Sequence, residues 1–151
     1  MLGLVKEDRI AYSRKANLHS SSISDWLQDK LLLTLIIRKG LSYDLFDIIR
    51  QSSPYNEQDW AVFLGVSTKS MQRYQKENKT FKPIQTEKIF EVTEVTILGL
   101  DIFGDASKFM LWMQTPNFAL GGIAPIHLLS DSYGKDLVMA SLTRLDHGIF
   151  I

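Results

Sequence analysis

At 151 residues the chain is long enough for one good hydrophobic core, or for two small lobes that share one. Its 17 Lys/Arg and 17 Asp/Glu cancel, so bulk charge argues neither for nor against nucleic acid, and 45% apolar content is ordinary for a folded domain. The absence of cysteine excludes disulfides, thiolate nucleophiles and thiolate metal sites.

Residues 1–23 mix charge, serine and isolated apolar residues without a period, and read as a loosely held arm with no assigned function. The N-terminus lacks the long apolar core of a secretory signal. The longest apolar run, residues 31–37, is interrupted by Thr34 and is too short to cross a bilayer. A cytoplasmic protein with no membrane partner is the expectation. Ser24 and Asp25 are credible caps for a segment over residues 26–39 that stops at Gly40. A solid run such as LLLTLIIRK carries no period, so helix and strand stay open on pattern; the cap at one end and the glycine at the other favour helix.

Ser42 then caps a helix bearing Leu45, Phe46, Ile48 and Ile49, which ends near Ser52-Ser53-Pro54. Asn56 caps EQDWAVFLG, where Trp60, Phe63 and Leu64 have i, i+3, i+4 spacing and Gly65 ends the helix. Val66-Ser67 connects tightly to a second helix, TKSMQRYQKEN, capped by Ser67. Two short helices about a glycine-containing turn, the second one basic, are the sequence picture of a helix-turn-helix. Six bases (Lys69, Arg73, Lys76, Lys79, Lys82, Lys88) against two acids (Glu77, Glu87) make residues 69–88 the one strongly positive window. Thr68, Lys69, Ser70, Gln72, Arg73 and Lys76 are the candidate DNA-binding residues, able to reach base edges or phosphate oxygens, while Met71 and Tyr74 turn inward. Neutralising about four phosphates gives a slope of log affinity against log salt near −3.6. On pattern alone the charged face is equally well a solvated one.

A single helix is expected over residues 85–100, with Ile89, Phe90, Val92 or Thr93, and Ile97 facing inward. Its β-branched content (Val92, Thr93, Val95, Thr96, Ile97) is a poor helix prior. Gly99 marks the seam between lobes. Asp105 caps a short helix that buries Ala106, Phe109, Met110 and Met113, and Pro116 ends it. Gly121-Gly122 bends the chain, Pro125 opens the next short helix, and a last helix over residues 134–147 sets Leu137, Val138, Ser141, Leu142 and Leu145 on one side. Gly148 is its left-handed stop.

The order Phe103-Gly104-Asp105, Trp112, Pro116-Asn117, Ala119-Leu120-Gly121-Gly122, Pro125, Leu128-Leu129, Gly134, Val138, Leu142, Arg144, His147-Gly148 closely resembles the toxin-binding domain of the Xre/MbcA/ParS antitoxins. It covers the last third of the chain almost continuously. Many relatives have a small residue where Phe109 stands and Leu where Met113 stands. The segment LGVSTKSMQRYQKENKTFKPIQTEKIFEV is similar to the Xre-like helix-turn-helix that precedes that domain. Lys69-Ser70-Met71 stand in Arg-Thr-Leu positions, with Arg73 retained and Thr86-Glu87-Lys88-Ile89 filling the later motif. Lysine at 69 lacks the bidentate fork that favours guanine.

The resemblance keeps residues 85–100 helical. It implies an all-α protein: an arm (1–23), a helix-turn-helix DNA-binding lobe (24–98) and a small helical toxin-binding lobe (99–151). It implies a type II antitoxin whose partners are a RES-domain toxin, which has an ADP-ribosyltransferase-like fold and consumes NAD, and its own operator DNA. Repression of its own operon, a homodimer, no cofactor and no small-molecule substrate complete the expectation. In the family the C-terminal end lies at the mouth of the toxin's NAD pocket. Here that end is Arg144, His147, Gly148, Ile149, Phe150 and Ile151, apolar after Gly148 and closing in a carboxylate suited to a cationic phosphate site, with Asn117, Gly121 and Gly122 shaping the adjoining surface. The rival reading is a stand-alone regulator whose C-terminal lobe only dimerises.

An enzyme has little support in the residues. His19, His127 and His147 stand apart from one another and from any metal-binding spacing. Gly121-Gly122 lacks the phosphate-loop pattern and serves better to let a partner approach the backbone. Asp101, Asp105, Asp131 and Asp136 read as caps and solvent-facing charges. No catalytic or metal residue is assigned.

Overall fold

The computed structural model describes residues 20–148. Their regular elements are all helical, with no strand among the described residues: α1 (Ser20–Gln28), α2 (Lys30–Lys39), α3 (Tyr43–Ser52), α4 (Glu57–Leu64), α5 (Thr68–Glu77), α6 (Pro83–Phe103), α7 (Ala106–Gln114) and α8 (Ser132–Asp146). Two 3₁₀ turns, Phe118–Leu120 and Pro125–Leu128, lie between α7 and α8.

Helix α6 is the spine, contacted by α1, α2, α4, α7 and α8. Pro83 opens it at a position where no amide hydrogen is needed, and Gln85 Oε1 accepts from the Lys82 amide at 3.1 Å. Packing explains why a Val/Thr-rich segment is helical. Each such residue loses up to about 0.7 kcal/mol in propensity, whereas a fully buried valine gains at least about 1.5 kcal/mol. Val92 and Val95 are fully buried, so burial wins. The threonines hide their hydroxyls on the preceding turn: Thr93 Oγ1 donates to Ile89 O at 2.6 Å, and Thr96 Oγ1 lies 2.7 Å from Val92 O.

The first lobe closes around edge-to-face aromatics. Phe46 meets Trp60 and Phe81 at centroid distances of 5.0 and 5.1 Å, and Tyr55 meets Phe63 at 5.1 Å. Tyr55 lies 2.9 Å from Thr96 Oγ1, and burial raises its phenol pKa far above the usual value. Gly40, at φ 88°, passes so close to the Phe81 carbonyl that a Cβ would stand 2.4 Å from its oxygen; only glycine fits.

Several elements differ from the sequence expectation. The helix drawn over residues 26–39 is two. Asp29 interrupts it, taking the Leu32 amide on its carboxylate at 3.0 Å and so restarting the chain as α2. Ser24 and Asp25 therefore lie inside α1 rather than capping anything, and α1 takes in residues 20–23 of the arm, with Ile23 buried. Ser42 sits at the start of α3 but its side chain accepts no amide. Asn78 performs that task from 34 residues away: its Oδ1 accepts from the Asp44 amide at 3.1 Å and its Nδ2 donates to Asp44 Oδ2 at 2.8 Å. Ala106 is exposed because it opens α7 on the solvent side, and Leu137 is exposed on α8 beside the buried Val138. The glycine stops at Gly65 and Gly148 and the caps at Asn56, Ser67 and Asp105 stand as expected.

Gly99 lies within α6, not at a break. A Cβ there would stand 2.1 Å from Cε2 of Phe109, so the buried ring of α7 fills the space that glycine leaves. Beyond it, α6 and α8 are joined by Lys135 Nζ and Glu94 Oε2 at 2.9 Å, and Ser132 Oγ donates to Glu91 Oε1 at 3.2 Å.

Candidate DNA and partner surfaces

Helices α4 and α5 form the helical pair. Asn56 and Asp59 cap α4 reciprocally, Asn56 Oδ1 taking the Asp59 amide at 2.8 Å and Asp59 Oδ2 the Asn56 amide at 3.0 Å. Gly65 turns the chain in the left-handed region, and Ser67 Oγ accepts from the Ser70 amide at 3.0 Å to start α5. Such a cap contributes about 1 kcal/mol. Met71 and Tyr74 are buried and fix the rotation of α5.

That rotation decides what faces outward. Lys69, Gln72, Arg73 and Lys76 are all exposed at i, i+3, i+4 and i+7, one stripe along the helix. Thr68 and Ser70 are half-buried, and the Ser70 hydroxyl accepts from Ser67 Oγ at 3.0 Å, so it is engaged in the cap. Lys79 lies 5.1 Å from the centre of the Tyr74 ring, and Lys88 is held by Glu91 at 3.4 Å. Among the described residues no carboxylate pairs with Lys69, Arg73 or Lys76. Three unneutralised cations and an amide on one helix face are chemistry suited to phosphates and base edges.

The second surface is the loop after α7. Residues 117–123 fold on themselves: Asn117 N donates to Ile123 O at 3.2 Å, Gly122 N to Asn117 O at 2.9 Å, Gly121 N to Phe118 O at 3.1 Å, and Ala119 N to Asn117 Oδ1 at 2.9 Å. Asn117 is thus committed to holding the turn. Gly121 and Gly122 take φ of 72° and 78°, and a Cβ on either would meet nothing within 4 Å. Their conformation requires glycine; their surroundings do not. Arg144 Nη2 lies 3.4 Å from Ser141 Oγ, His147 caps α8 and is exposed, and Gly148 comes next at φ 72°. Ile149, Phe150 and Ile151 lie outside the described residues.

Residues 33–93 match the family described as Antitoxin Xre-like helix-turn-helix domain, and residues 98–148 match Antitoxin Xre/MbcA/ParS C-terminal toxin-binding domain. The chain is similar to the Antitoxin Xre of Yersinia enterocolitica, 30% identical over 115 residues that cover 76% of this chain and 78% of that one. The chain belongs to the Xre antitoxin family. It is likewise 28% identical over 118 residues to the Antitoxin Xre of Photorhabdus laumondii, covering 78% and 80% of the two chains.

This is an antitoxin, not an enzyme, built of a helix-turn-helix domain and a toxin-binding domain. A toxin and DNA are therefore its partner classes. No group of three or more His or acidic side chains suited to a metal occurs among the described residues, and none of their helices is long and apolar enough to cross a membrane. The structure brings the candidate DNA residues together on α5. It leaves the candidate toxin residues in two groups, the 117–122 loop and the end of α8, with no described hydrogen bond, ion pair or ring contact joining them. Sequence reading passed over one residue of that loop. Phe118 is 97% exposed while Leu120 beside it is 7% exposed. The signal was available, since a turn this tight has no inner face for two large side chains.

Proposed function

We propose that this antitoxin binds a RES-domain toxin, an ADP-ribosyltransferase-like protein that consumes NAD, and holds it inactive by standing in its NAD pocket. The same chain, as a homodimer, represses its own operon through α5. In this reading the arm ends at residue 23, the DNA-binding lobe covers residues 24–98 and the toxin-binding lobe residues 99–151. Inhibition is steric: the antitoxin performs no chemistry and excludes the dinucleotide by occupying its place. The observation that carries the reading is the toxin-binding match over residues 98–148, whose loop offers backbone at Gly121 and Gly122 with open space around it. The end of α8 supports it too. Gly148 ends that helix in the left-handed region, and the three residues after it in the sequence, Ile149, Phe150 and Ile151, are all apolar.

For the operator, Lys69, Gln72, Arg73 and Lys76 would enter the major groove, with Thr68 and Ser70 at the helix N-terminus near the phosphates. Two copies would read half-sites about 34 Å apart. The test is a chain ending at Asp146. It lacks residues 147–151 and keeps the buried core, losing only the capping at the end of α8, so it still folds, melts slightly lower and binds the operator like the wild-type chain. Inhibition of NAD consumption by a cognate RES-domain toxin is lost. Full inhibition by the shortened chain refutes the occupied pocket.

A further inference from the structure

Among the described residues, the toxin-binding domain is richer in exposed large apolar side chains than the rest. Leu111, Phe118, Ile123, Tyr133 and Leu137 belong to its 51 residues, against Leu31, Val62 and Ile84 in the longer remainder of the described residues. Phe118 is the extreme. An aromatic ring left 97% in water gives nothing to the folded state, and Ile123 of the same turn is exposed with it. Nor is the ring on a loose segment. The loop beneath it is closed by its own hydrogen bonds, among them Gly122 N to Asn117 O at 2.9 Å and Leu120 N to Asn117 O at 3.0 Å. Leu120, two residues on in the same loop, is buried. Ile123, 44% exposed, stands at the far side of the same turn, paired with Asn117 in an antiparallel bridge.

An exposed aromatic on a pre-ordered loop is the form of an interface anchor, because little ordering entropy remains to be lost when it is buried. We propose that Phe118 is the anchor of the toxin interface, its ring entering an apolar recess on the toxin while Gly121 and Gly122 let the toxin surface come down onto the backbone beside it. This rests on the proposed function for its partner, and names the residue through which the toxin is gripped. The grip is separate from the segment after α8 proposed to exclude NAD: one residue supplies affinity, the other segment inhibition.

The experiment measures binding of the chain to an active-site-inactivated form of a cognate RES-domain toxin, by calorimetry. Variants are Phe118→Ala, Phe118→Leu, and Leu31→Ala as an exposed apolar truncation outside the domain. Phe118→Ala is expected to weaken binding by about 30-fold or more, as truncation of a buried aromatic anchor does. Phe118→Leu should recover part of that loss, and Leu31→Ala should bind like the wild-type chain. Melting temperature and operator binding stay unchanged in all three, since a side chain this exposed has little packing to lose. Binding of Phe118→Ala within about threefold of the wild-type chain overturns the proposal and leaves the toxin reading standing. If the wild-type chain itself does not bind that protein, the toxin reading fails and the anchor with it.

Discussion

Gly99→Ala is the most informative single change in the core. Alanine improves helix propensity by about 1 kcal/mol in a helix interior. Here, though, the new methyl would lie 2.1, 2.5 and 2.6 Å from Cε2, Cδ2 and Cζ of Phe109. Those distances are well inside van der Waals contact, and the ring has nowhere to go. It is fully buried and lies 6.1 Å from Phe103, which in turn lies 5.9 Å from Trp112. Overpacking of this kind costs about 1–3 kcal/mol, and the depth of overlap places it at the upper end. The net loss is about 2 kcal/mol, or roughly 4–8 °C in melting temperature for a chain of this size. The decisive assay is a double-mutant cycle by thermal or urea unfolding. Phe109→Ala alone loses about 3–5 kcal/mol through the cavity it opens. Placed on that background, Gly99→Ala should change sign and stabilise, because the clash is gone and only propensity remains. Equal effects of Gly99→Ala in the two backgrounds refute the reasoning.

Two further outcomes rest on particular contacts. Asn78 holds a left-handed φ of 43° and also caps α3 through Asp44. Asn78→Gly keeps the backbone and loses the cap, lowering stability by about 1 kcal/mol, whereas Asn78→Ala strains the backbone as well and falls further; urea unfolding orders the three proteins. Burial holds the Tyr55 phenol above its ordinary pKa of 10.0, so above pH 10 the unfolded chain releases a proton that the folded one keeps. Its penalty on the folded state is absent below pH 10 and grows as pH rises towards the folded value. Tyr55→Phe should therefore flatten the fall in stability above pH 10 while costing stability at neutral pH, both read from melting curves across pH.

Much of the first lobe is legible in the sequence because its signals are local. Asn56, Gly65 and Ser67 bracket α4 and α5, and Met71 and Tyr74 follow from helical spacing alone. What failed was non-local. The run around LLLTLIIRK has no period, so nothing in it announces that Asp29 restarts the helix. Ser42 has the right residue type for a cap, yet the acceptor comes from Asn78, whose nearness depends on the turn between α5 and α6. Helix α6 contradicts its own propensities and is helical because neighbours bury its valines. At the candidate partner surface, resemblance singled out the turn residues Asn117, Gly121 and Gly122 and passed over Phe118. Turn residues show by type, as asparagine and glycine do; the outward ring of Phe118 follows only from the tightness of the turn, which leaves no inner face for both Phe118 and Leu120.

The same helix explains why the two surfaces cannot be treated as separate modules. At 21 residues α6 is about 31 Å long, and it carries the core of both lobes without a break. On one stretch Thr96 meets the Tyr55 hydroxyl of the DNA-binding lobe; three residues on, Gly99 receives the Phe109 ring of the toxin-binding lobe. Glu94, between Thr93 and Val95, reaches across to Lys135 of α8. A displacement forced at Gly99 is thus within one helical turn of the contact that seats Tyr55 against Trp60 and Phe63. Packed interiors transmit such shifts rather than absorb them. The strain introduced by Gly99→Ala should accordingly appear in the melting of both lobes at one temperature, followed through the fluorescence of Trp60 and Trp112, and two separated transitions would show that α6 yields at the glycine.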